Sequence, residues 1–444
     1  GLEALHITAD AQFAGGHGSG FGGGGTVAAP GGSQGKPGQP PCDPASATSL
    51  PNDGSPNAYS EWENCYPWHR PVFWATAEGV YGITHRAPLA VPLLSSSTAP
   101  DVNSNVGAIG ESATVIPGNQ QSFDLRHPLG VSATFGFSPT VEWKVPLEVN
   151  LLYLHEQSNA IAAHSDIVGN PLLARPIFST AAGQEGEKVY LSSFPGLAAG
   201  GVTVDTSLQL WGINGVGVVQ TGLQWGDDCH GCAIDLPMGV RYLDMNEVIT
   251  INNSVTALAP NFAVPFLGTP FGQGSTTVVT DSFKTDNTFL GGEFGVRLES
   301  RWNSFFLTVE PRVGIGATRQ SIVIGGVSVL EQPGQATQTA PGGILAVASN
   351  SGIHTRERFT VLPEATLHIG WDVFSWMRIQ AGYNIIYWEN VLRAGDQISR
   401  SVDVRQVPTD FSFTPGLPGN SPGISFKESN FIIQGISLGV TFSF

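Results

Sequence analysis

The sequence predicts an all-β fold, a transmembrane antiparallel β-barrel of about ten strands that follows an irregular Gly/Pro-rich extension. Three observations predict it. Segments of strand length carry an apolar residue at every second position, only 13% of the 444 residues are charged, and no apolar run has the 18 residues of a membrane helix. Lipid-facing and lumen-facing residues alternate in this way along the strands of membrane barrels.

The first segment of the chain, residues 1–70, is predicted to be a periplasmic extension without a core of its own. It contains a glycine tract and then a stretch rich in Pro, Ser and Asn, with little apolar surface to bury. His6, Asp10 and His17 could be imagined as metal ligands, but solvated tail residues are the expected state. Dense aromatic residues from Glu61 onward suit the headgroup layer beside a first strand.

Residues 71–444 are predicted to form the barrel. The clearest pattern lies at 141–153. Seven apolar residues at every second position lie on one side of the predicted strand, and Glu142, Lys144, Glu148 and Asn150 lie on the other side. A hairpin of residues 112–116 and 121–126 would raise the number of strands from ten to twelve. The predicted strands are 72–83, 129–137, 141–153, 202–225, 233–254, 276–300, 303–330, 355–371, 376–391 and 430–444.

The last strand, 430–444, is expected to close the barrel. From Ile436 its apolar residues alternate with Ser, Gly and Thr, and it ends on Phe442 and Phe444. A terminal aromatic residue after such an alternation resembles the C-terminal signal that outer-membrane proteins present to their insertion machinery. We therefore expect an exported protein in the cell outer membrane, in its mature form without a signal peptide.

The connections between the predicted strands alternate between short and long. Short ones lie near Ser138, Cys229, Trp302 and Asp372, and they alternate with five long ones, of which the first precedes Ser138 and the last follows Asp372. Outer-membrane barrels have short periplasmic turns and long extracellular loops, so both termini are expected on the periplasmic side.

Aromatic residues are predicted to form two girdles, one at each membrane boundary. The set near the short turns is Trp74, Phe135, Phe137, Trp143, Trp225, Trp302, Phe305, Trp371, Phe374, Trp376, Phe442 and Phe444. The set near the long loops is Tyr81, Tyr153, Phe289, Phe359, Tyr387 and Phe431.

The other face of the strands carries charges of both signs, which we expect to form ion pairs across the lumen. These residues are Glu142, Lys144, Glu148, Asp235, Arg241, Glu293, Arg297, Glu299, Glu310, Arg312, Arg358, Glu364 and Arg378, together with His368 and Gln380. Eight strands leave an interior that side chains fill and sixteen leave an aqueous channel, so a ten-stranded lumen is expected to be narrow or blocked. The charges would select small solutes or, as we favour, rigidify the barrel.

Four cysteines, Cys42, Cys65, Cys229 and Cys232, are candidates for disulfides, because an even number in an exported protein favours pairing. The CHGC spacing of the last two could also indicate a redox pair or half of a zinc site. Neither a βαβ context nor a second CxxC supports those alternatives.

The sequence indicates no enzyme, no catalytic residue, no cofactor and no metal. His155, Glu156, His164 and Asp166 lie near a predicted rim, but their spacing specifies no hydrolase geometry and no GxSxG motif occurs. A net charge of −16 argues against nucleic acid. The expected partners are outer-membrane lipid and, through residues 1–70 and the long loops, other envelope proteins or further copies. The alternatives are therefore a narrow porin-like barrel, a structural barrel that anchors an assembly and, remotely, a rim hydrolase.

Five segments of the chain resemble the sequences of a known protein family. They are PLLARPIF (171–178), VTVDTSLQLWG (202–212), VRYLDMNE (240–247), PGGILAVASNSGIHTRERFTVLPEATLHIG (341–370) and GYNIIYWENVLRAGDQISRSV (382–402). They resemble a planctomycete family of outer-membrane β-barrel proteins, putative beta barrel porin 7. The similarity covers about 72–444 and leaves out the glycine-rich front. It implies an outer-membrane barrel that could form a pore, and it brings no catalytic residues.

Overall fold

The computed structural model describes residues 72–98, 105–111, 113–116, 122–138, 145–226 and 230–444. Within them, ten antiparallel strands form the barrel wall. They are β1 (Phe73–Thr84), β2 (Leu129–Phe137), β3 (Leu147–His164), β4 (Ala198–Gly226), β5 (His230–Ala257), β6 (Thr276–Gly295, continued by Arg297–Trp302), β7 (Phe305–Glu331), β8 (Gly352–Phe374), β9 (Met377–Leu392) and β10 (Glu428–Ser443). The predicted extension 1–70 lies outside the described residues, and the division at residue 70 stays a prediction.

The ten strands form a closed ring. Each strand pairs with the next along the chain, and β10 pairs with β1 from Trp74 opposite Ser443 to Thr84 opposite Ile433. Closure gives the two end strands partners on both sides, which removes the sheet edges that an open sheet would expose. The predicted ten-stranded antiparallel barrel is confirmed, with 430–444 as the closing strand.

The twelve-strand alternative is wrong, because the segments on which it rests pair inside a loop. Thr114–Val115 pairs with Ser95–Ser97, and Ser122–Phe123 pairs with Ala87–Pro88. Neither segment enters the wall.

Connections of unequal length define the two ends of the barrel. Short turns join β2 to β3, β4 to β5, β6 to β7 and β8 to β9. The long loops are L1 (85–128), L2 (165–197), L3 (258–275), L4 (332–351) and L5 (393–427). We refer to the short-turn end and the long-loop end. No helix among the described residues is long and apolar enough to cross a membrane.

The outer face of the wall carries an apolar belt. On β5 the outward residues from Ile234 to Tyr242 are all apolar or aromatic, Met238 and Val240 are more than half exposed, and Asp244 follows. Eight residues of a strand tilted by about 40° span roughly 20 Å along the barrel axis, close to the height of a lipid-facing band. Beyond the belt, β4 to β6 continue toward the long-loop end with mostly polar outward residues, whereas those of β7 also include Val323 and Val327.

The aromatic girdles are only partly as predicted. Tyr81, Tyr153 and Phe359 are exposed at the long-loop edge of the belt. Phe289 and Phe431 are buried, because they belong to the set of alternate residues that faces the interior. The remaining outliers are Trp74, which faces the lumen, and Trp143, which lies outside the described residues.

An apolar core fills the long-loop half of the barrel, which the sequence analysis did not predict. Inward residues of the wall, such as Phe283 and Ile322, pack there with residues of four loops. L1 contributes Leu93 and Phe123, L2 contributes Ile177, L4 contributes Ile344, and L5 contributes Val404, all at most 2% exposed. We refer to this loop-built filling as the plug.

A small sheet connects the loops of the plug to one another. Leu173–Ser179 of L2 pairs with Gly186–Ser193 of the same loop, with Ser95–Ser97 of L1 and with Ser401–Val402 of L5. The three loops are therefore held together by backbone hydrogen bonds as well as by apolar packing.

Replacing Trp388 should loosen the plug. Its side chain is fully buried, and its indole N–H donates to Thr318 Oγ1 over 3.1 Å. We expect Trp388→Ala to lower the free energy of unfolding by about 3–5 kcal/mol, measured by urea unfolding in detergent. The control is Trp376→Ala, whose side chain is about half exposed at the short-turn end. An equal loss of unfolding free energy in the two variants would contradict the contribution of the plug to stability.

Candidate functional site

The belt half of the barrel encloses a charged lumen with a cavity of about 270 Å³. Alternation places its lining side chains on the inner face of the wall. A neutral side is formed by Thr76, Ser132, Thr134, Asn150 and Thr441. The charged lining residues are Glu78, Glu148, Arg241, Arg297, Glu299, Glu310, Arg312, Glu364, His368 and Arg378.

The first connection across the lumen is made by Arg297 of β6. Its Nη1 and Nη2 donate to the two oxygens of Glu148 on β3 over 2.8 and 2.6 Å, and its Nε donates to Glu310 on β7 over 2.7 Å. Two strands separate β3 from β6, so this pair bridges the interior. A bidentate guanidinium–carboxylate pair has a fixed direction, and it holds the two walls together.

A second connection joins β5 to β8. Arg241 Nη2 lies 2.9 Å from Glu364 Oε2, and its Nη1 lies 3.3 Å from Glu293 Oε2. Arg312 donates to the other oxygen of Glu293 over 2.9 Å. Asn214 also donates to Glu293, which therefore has three donors and is only 3% exposed. The buried carboxylates and guanidinium groups thus compensate one another.

A third connection joins β1 to β8. His368 Nε2 lies 3.2 Å from Glu78 Oε1, and Gln380 of β9 donates to the same oxygen over 2.7 Å. Glycines make room for both groups. A Cβ on Gly382 would come within 2.6 Å of the His368 ring, and a Cβ on Gly439 within 2.5 Å of Glu78 Cγ.

More ion pairs lie toward the short-turn end. Arg378 donates to Asp372 over 2.7 Å, and Arg301 donates to Glu299 over 3.0 Å. The Arg378 guanidinium also lies 3.8 Å from the centre of the Phe306 ring. Charges of opposite sign therefore occupy the lumen through the height of the belt.

Most of the lumen residues named from the sequence come together in this network, with four exceptions. Asp235 lies opposite Arg297 in the pairing of β5 with β6, outside the cavity lining. Arg358 does not line the cavity. Its side chain is half exposed and pairs with Glu428. Glu142 and Lys144 lie outside the described residues.

Sequence reasoning missed three charged members of the network, Glu78, Arg301 and Asp372, and the neutral donor Asn214. The signal for Glu78 was present, because Phe73, Tyr81 and Ile83 show that the odd-numbered residues of the predicted strand 72–83 face outward, so Glu78 had to face inward. Asp372 was assigned to a turn, and nothing in a turn predicts which way a side chain points.

Buried carboxylates of the wall hold the plug in place. Asp281 of β6 accepts Arg175 Nη1 of L2 over 2.8 Å and the backbone N–H groups of Leu345 and Ala346 in L4 over 2.9 and 2.8 Å. Asp281 is fully buried and Arg175 is 1% exposed. One carboxylate therefore attaches two loops to one strand.

A second carboxylate attaches L5. Glu247 of β5, fully buried, accepts Arg393 Nε and Nη2 over 2.8 and 2.9 Å and the backbone N–H of Ala394 over 2.9 Å. Close by, the side chain of Asn287 exchanges two hydrogen bonds with the backbone of Leu392. Breaking such a buried pair costs about 3–5 kcal/mol, so these contacts strongly favour the closed arrangement.

Tyr190 links L2 to L5. Its hydroxyl donates to Asp410 Oδ2 over 2.9 Å. Burial raises the pKa of Tyr190 well above its ordinary value of 10, and the negative charge of Asp410 raises it further.

At the surface of L1, the Arg126 guanidinium lowers the pKa of Asp124 to about 2.

The disulfide expected of Cys232 is not supported. Its thiol is free and exposed, and it donates to Ser300 Oγ over 3.2 Å. The other three candidates, Cys42, Cys65 and Cys229, lie outside the described residues.

The four residues considered for a rim hydrolase do not converge. His155 and His164 are nine residues apart on the continuous strand β3, which separates them by roughly 30 Å. Asp166 Oδ1 accepts the backbone N–H groups of Val168 and Asn170 and so shapes a turn. Among the described residues, no group of three or more His, Cys, Asp or Glu side chains could hold a metal ion.

Comparisons with known proteins identify the family, and the solved structures that are similar to the chain include three outer-membrane proteins. The model of the family described as "Putative beta barrel porin-7" matches residues 74–444. No curated protein matches the chain significantly. The outer membrane protease OmpT from Escherichia coli has 6% identity and a TM-score of 0.34, with 84% of this chain and 96% of that chain covered. A mutant of the monoaromatic hydrocarbon channel TodX has 8% identity and a TM-score of 0.20, with 84% and 91% covered. OmpT of Vibrio cholerae has 10% identity and a TM-score of 0.12, with 85% and 100% covered.

Removing Arg297 should destabilise the barrel. Arg297→Ala leaves Glu148 without a counter-charge, and we expect the free energy of unfolding to fall by about 3–5 kcal/mol in urea titrations. Arg297→Met combined with Glu148→Gln removes both charges and should restore most of the loss. Arg126→Ala, at an exposed ion pair, should leave the unfolding midpoint unchanged. A combined variant no more stable than Arg297→Ala would show that the charges are not the cause.

Alkaline pH should weaken the link between L2 and L5. Tyr190 ionises near pH 10 when unfolded but at higher pH when folded, so its stabilising contribution is complete below pH 10 and is lost as pH rises above it. We expect Tyr190→Phe to lose less unfolding free energy than the unsubstituted protein between pH 10 and the raised pKa. Unfolding midpoints measured from pH 8 upward test this, and parallel curves would contradict it.

Proposed function

The chain belongs to the putative beta barrel porin-7 family, and we propose that it is a closed outer-membrane barrel with a structural role rather than an open diffusion pore. The observation that carries the proposal is the plug, which Asp281 and Glu247 hold against the inner wall by fully buried contacts. The lumen beneath it is crossed by the Arg297–Glu148 pair. An open pore would need both obstructions to move.

In this proposal the long-loop end faces the cell exterior and the short turns face the periplasm, as in other outer-membrane barrels. The wall strands then carry a rigid, loop-built surface outside the membrane. L1, L2 and L5, joined by their small sheet, form the part that neighbouring envelope proteins or further copies would contact. Residues 1–70 stay a predicted periplasmic extension. The proposal includes no catalytic role, cofactor or metal.

A gated pore for small solutes is the second candidate, and the cavity of about 270 Å³ favours it. A barrel filled entirely by side chains would not leave this space. The plug would have to leave the mouth before a solute could pass, so the two candidates differ in what happens when its attachments are weakened.

Conductance in planar bilayers tests the proposal. We expect the unsubstituted protein to be silent, because the plug and the ion pairs close the barrel. Glu247→Gln combined with Asp281→Asn leaves Arg393 and Arg175 buried without counter-charges, which should favour release of the plug by about 3–5 kcal/mol per pair. Channel openings in this variant would identify a gated pore, and continued silence would favour the structural barrel.

The matched control is Arg358→Ala, which breaks a half-exposed ion pair with Glu428 at the same end and should remain silent. Heat-modifiable migration in electrophoresis shows whether each variant is folded. Steady conductance of the unsubstituted, folded protein would refute the closed barrel.

A further inference from the structure

A row of aromatic, charged and hydroxyl side chains crosses the outer face of the wall beside the apolar belt. Tyr153 of β3 lies opposite Trp211 of β4, Trp211 opposite Asp244 of β5, Asp244 opposite Thr288 of β6, and Thr288 opposite Arg319 of β7. We call these five residues the outer row. Four strand spacings make it about 19 Å long.

The outer row marks the long-loop edge of the apolar belt. One step toward the short turns, the outward residues of the same strands include Ile213, Tyr242 and Leu290. One step toward the loops, Asn246 lies opposite Asp286. The row therefore stands at the level of the lipid headgroups, where amphipathic aromatic side chains lie in membrane proteins.

The centre of the row is organised by hydrogen bonds. Asp244 Oδ2 accepts Thr288 Oγ1 over 3.0 Å and Tyr242 OH over 3.3 Å, while its Oδ1 accepts Asn246 Nδ2 over 3.2 Å. The Trp211 and Tyr242 rings pack 5.1 Å apart, and Trp211 remains 38% exposed. An aromatic platform thus lies beside a carboxylate of fixed orientation.

This combination suits a neutral sugar better than a phosphate. The apolar face of a sugar ring packs on aromatic side chains, and its hydroxyl groups pair with carboxylate and guanidinium groups such as those of Asp244 and Arg319. A phosphate could approach Arg319, but the negative charge of Asp244 near the middle of the row would repel it. The length of the row fits a headgroup of more than one sugar ring.

We propose that the outer row binds the neutral sugar headgroups of glycolipids in the leaflet at the long-loop end. The position of the outer row indicates a membrane lipid as the ligand, because the row adjoins the lipid-facing belt on the same strands. Which leaflet this is rests on the orientation in the proposed function. Glycolipid binding itself requires neither a closed nor an open barrel.

The test compares the lipid that the full chain retains with the lipid from which it was extracted. The protein is reconstituted in phosphatidylcholine vesicles in which part of the lipid is digalactosyldiacylglycerol, and the lipid retained after mild detergent extraction is measured by mass spectrometry. We expect the retained lipid to be enriched about fivefold in the glycolipid, which corresponds to a preference near 1 kcal/mol. Trp211→Leu and Asp244→Ala, tested separately, should each reduce the enrichment to no more than about twofold.

Trp225→Leu is the matched control, because Trp225 is an exposed tryptophan of the same strand near the short-turn end. It should keep the full enrichment. Trp211→Leu keeps an apolar residue at the edge of the belt and should fold even where Asp244→Ala does not. Retention of the enrichment in folded Trp211→Leu would overturn the assignment, and so would absence of enrichment in the unsubstituted protein.

A second lipid distinguishes sugar from phosphate. Phosphatidylglycerol replaces the glycolipid in parallel vesicles and should not be enriched. Equal enrichment of both lipids would mean that Arg319 recognises phosphate, which would overturn the assignment to sugars. Conductance of the unsubstituted protein would refute the closed barrel and leave this measurement unaffected, so the two proposals fail separately.

Discussion

The narrowness of a closed ring of ten strands governs the rest of the structure. Such a ring is slightly wider than the eight-stranded barrels that side chains fill, and it lacks the width of an aqueous channel. Inward side chains of strands that are not neighbours therefore come within contact of one another. The protein does this differently in its two halves. Ion pairs span the belt half, and four loops pack an apolar core into the other half.

Which side chains fill the interior depends on the height along the strands. In the belt half, the wall itself provides both members of each described pair. Arg297 of β6 does this with two hydrogen bonds to Glu148 of β3 and one to Glu310 of β7, all shorter than 3 Å. In the other half, the loops reach inward, and leucine, isoleucine and phenylalanine side chains replace the charges. The fully buried carboxylates Asp281 and Glu247 are compensated there by guanidinium and backbone N–H groups that the loops bring.

The sequence could predict the wall because alternation is local. Residues 430–444 and 129–137 were placed almost to the residue, and the same rule placed Glu364 and His368 of β8 and Arg378 and Gln380 of β9 in the lumen. Phe289 and Phe431 were assigned to a girdle wrongly, because only their height along the barrel was considered and not whether their side chains lie on the inner or the outer side of the strand. The plug could not be predicted, since its contacts join residues far apart in the chain. Glu247 and Arg393, for example, are 146 residues apart. Both members of this pair nevertheless lie in stretches that carry the family resemblance, at 240–247 and 382–402.

The unequal lengths of the strands explain how one wall holds the plug on its inner face and carries polar side chains on its outer face. β1 and β2 have 12 and 9 residues, whereas β4, β5 and β7 have 27 to 29. The long strands continue past the belt, and alternation gives them two distinct faces. On β5, Glu247 and Ile249 hold the plug from the inner face, while Asp244 and Asn246 form the polar outer face. A register shift of one residue would bury Asp244 and expose Ile249. The attachment of the loops and the chemistry of the outer surface therefore depend on the same register, and neither can change without the other.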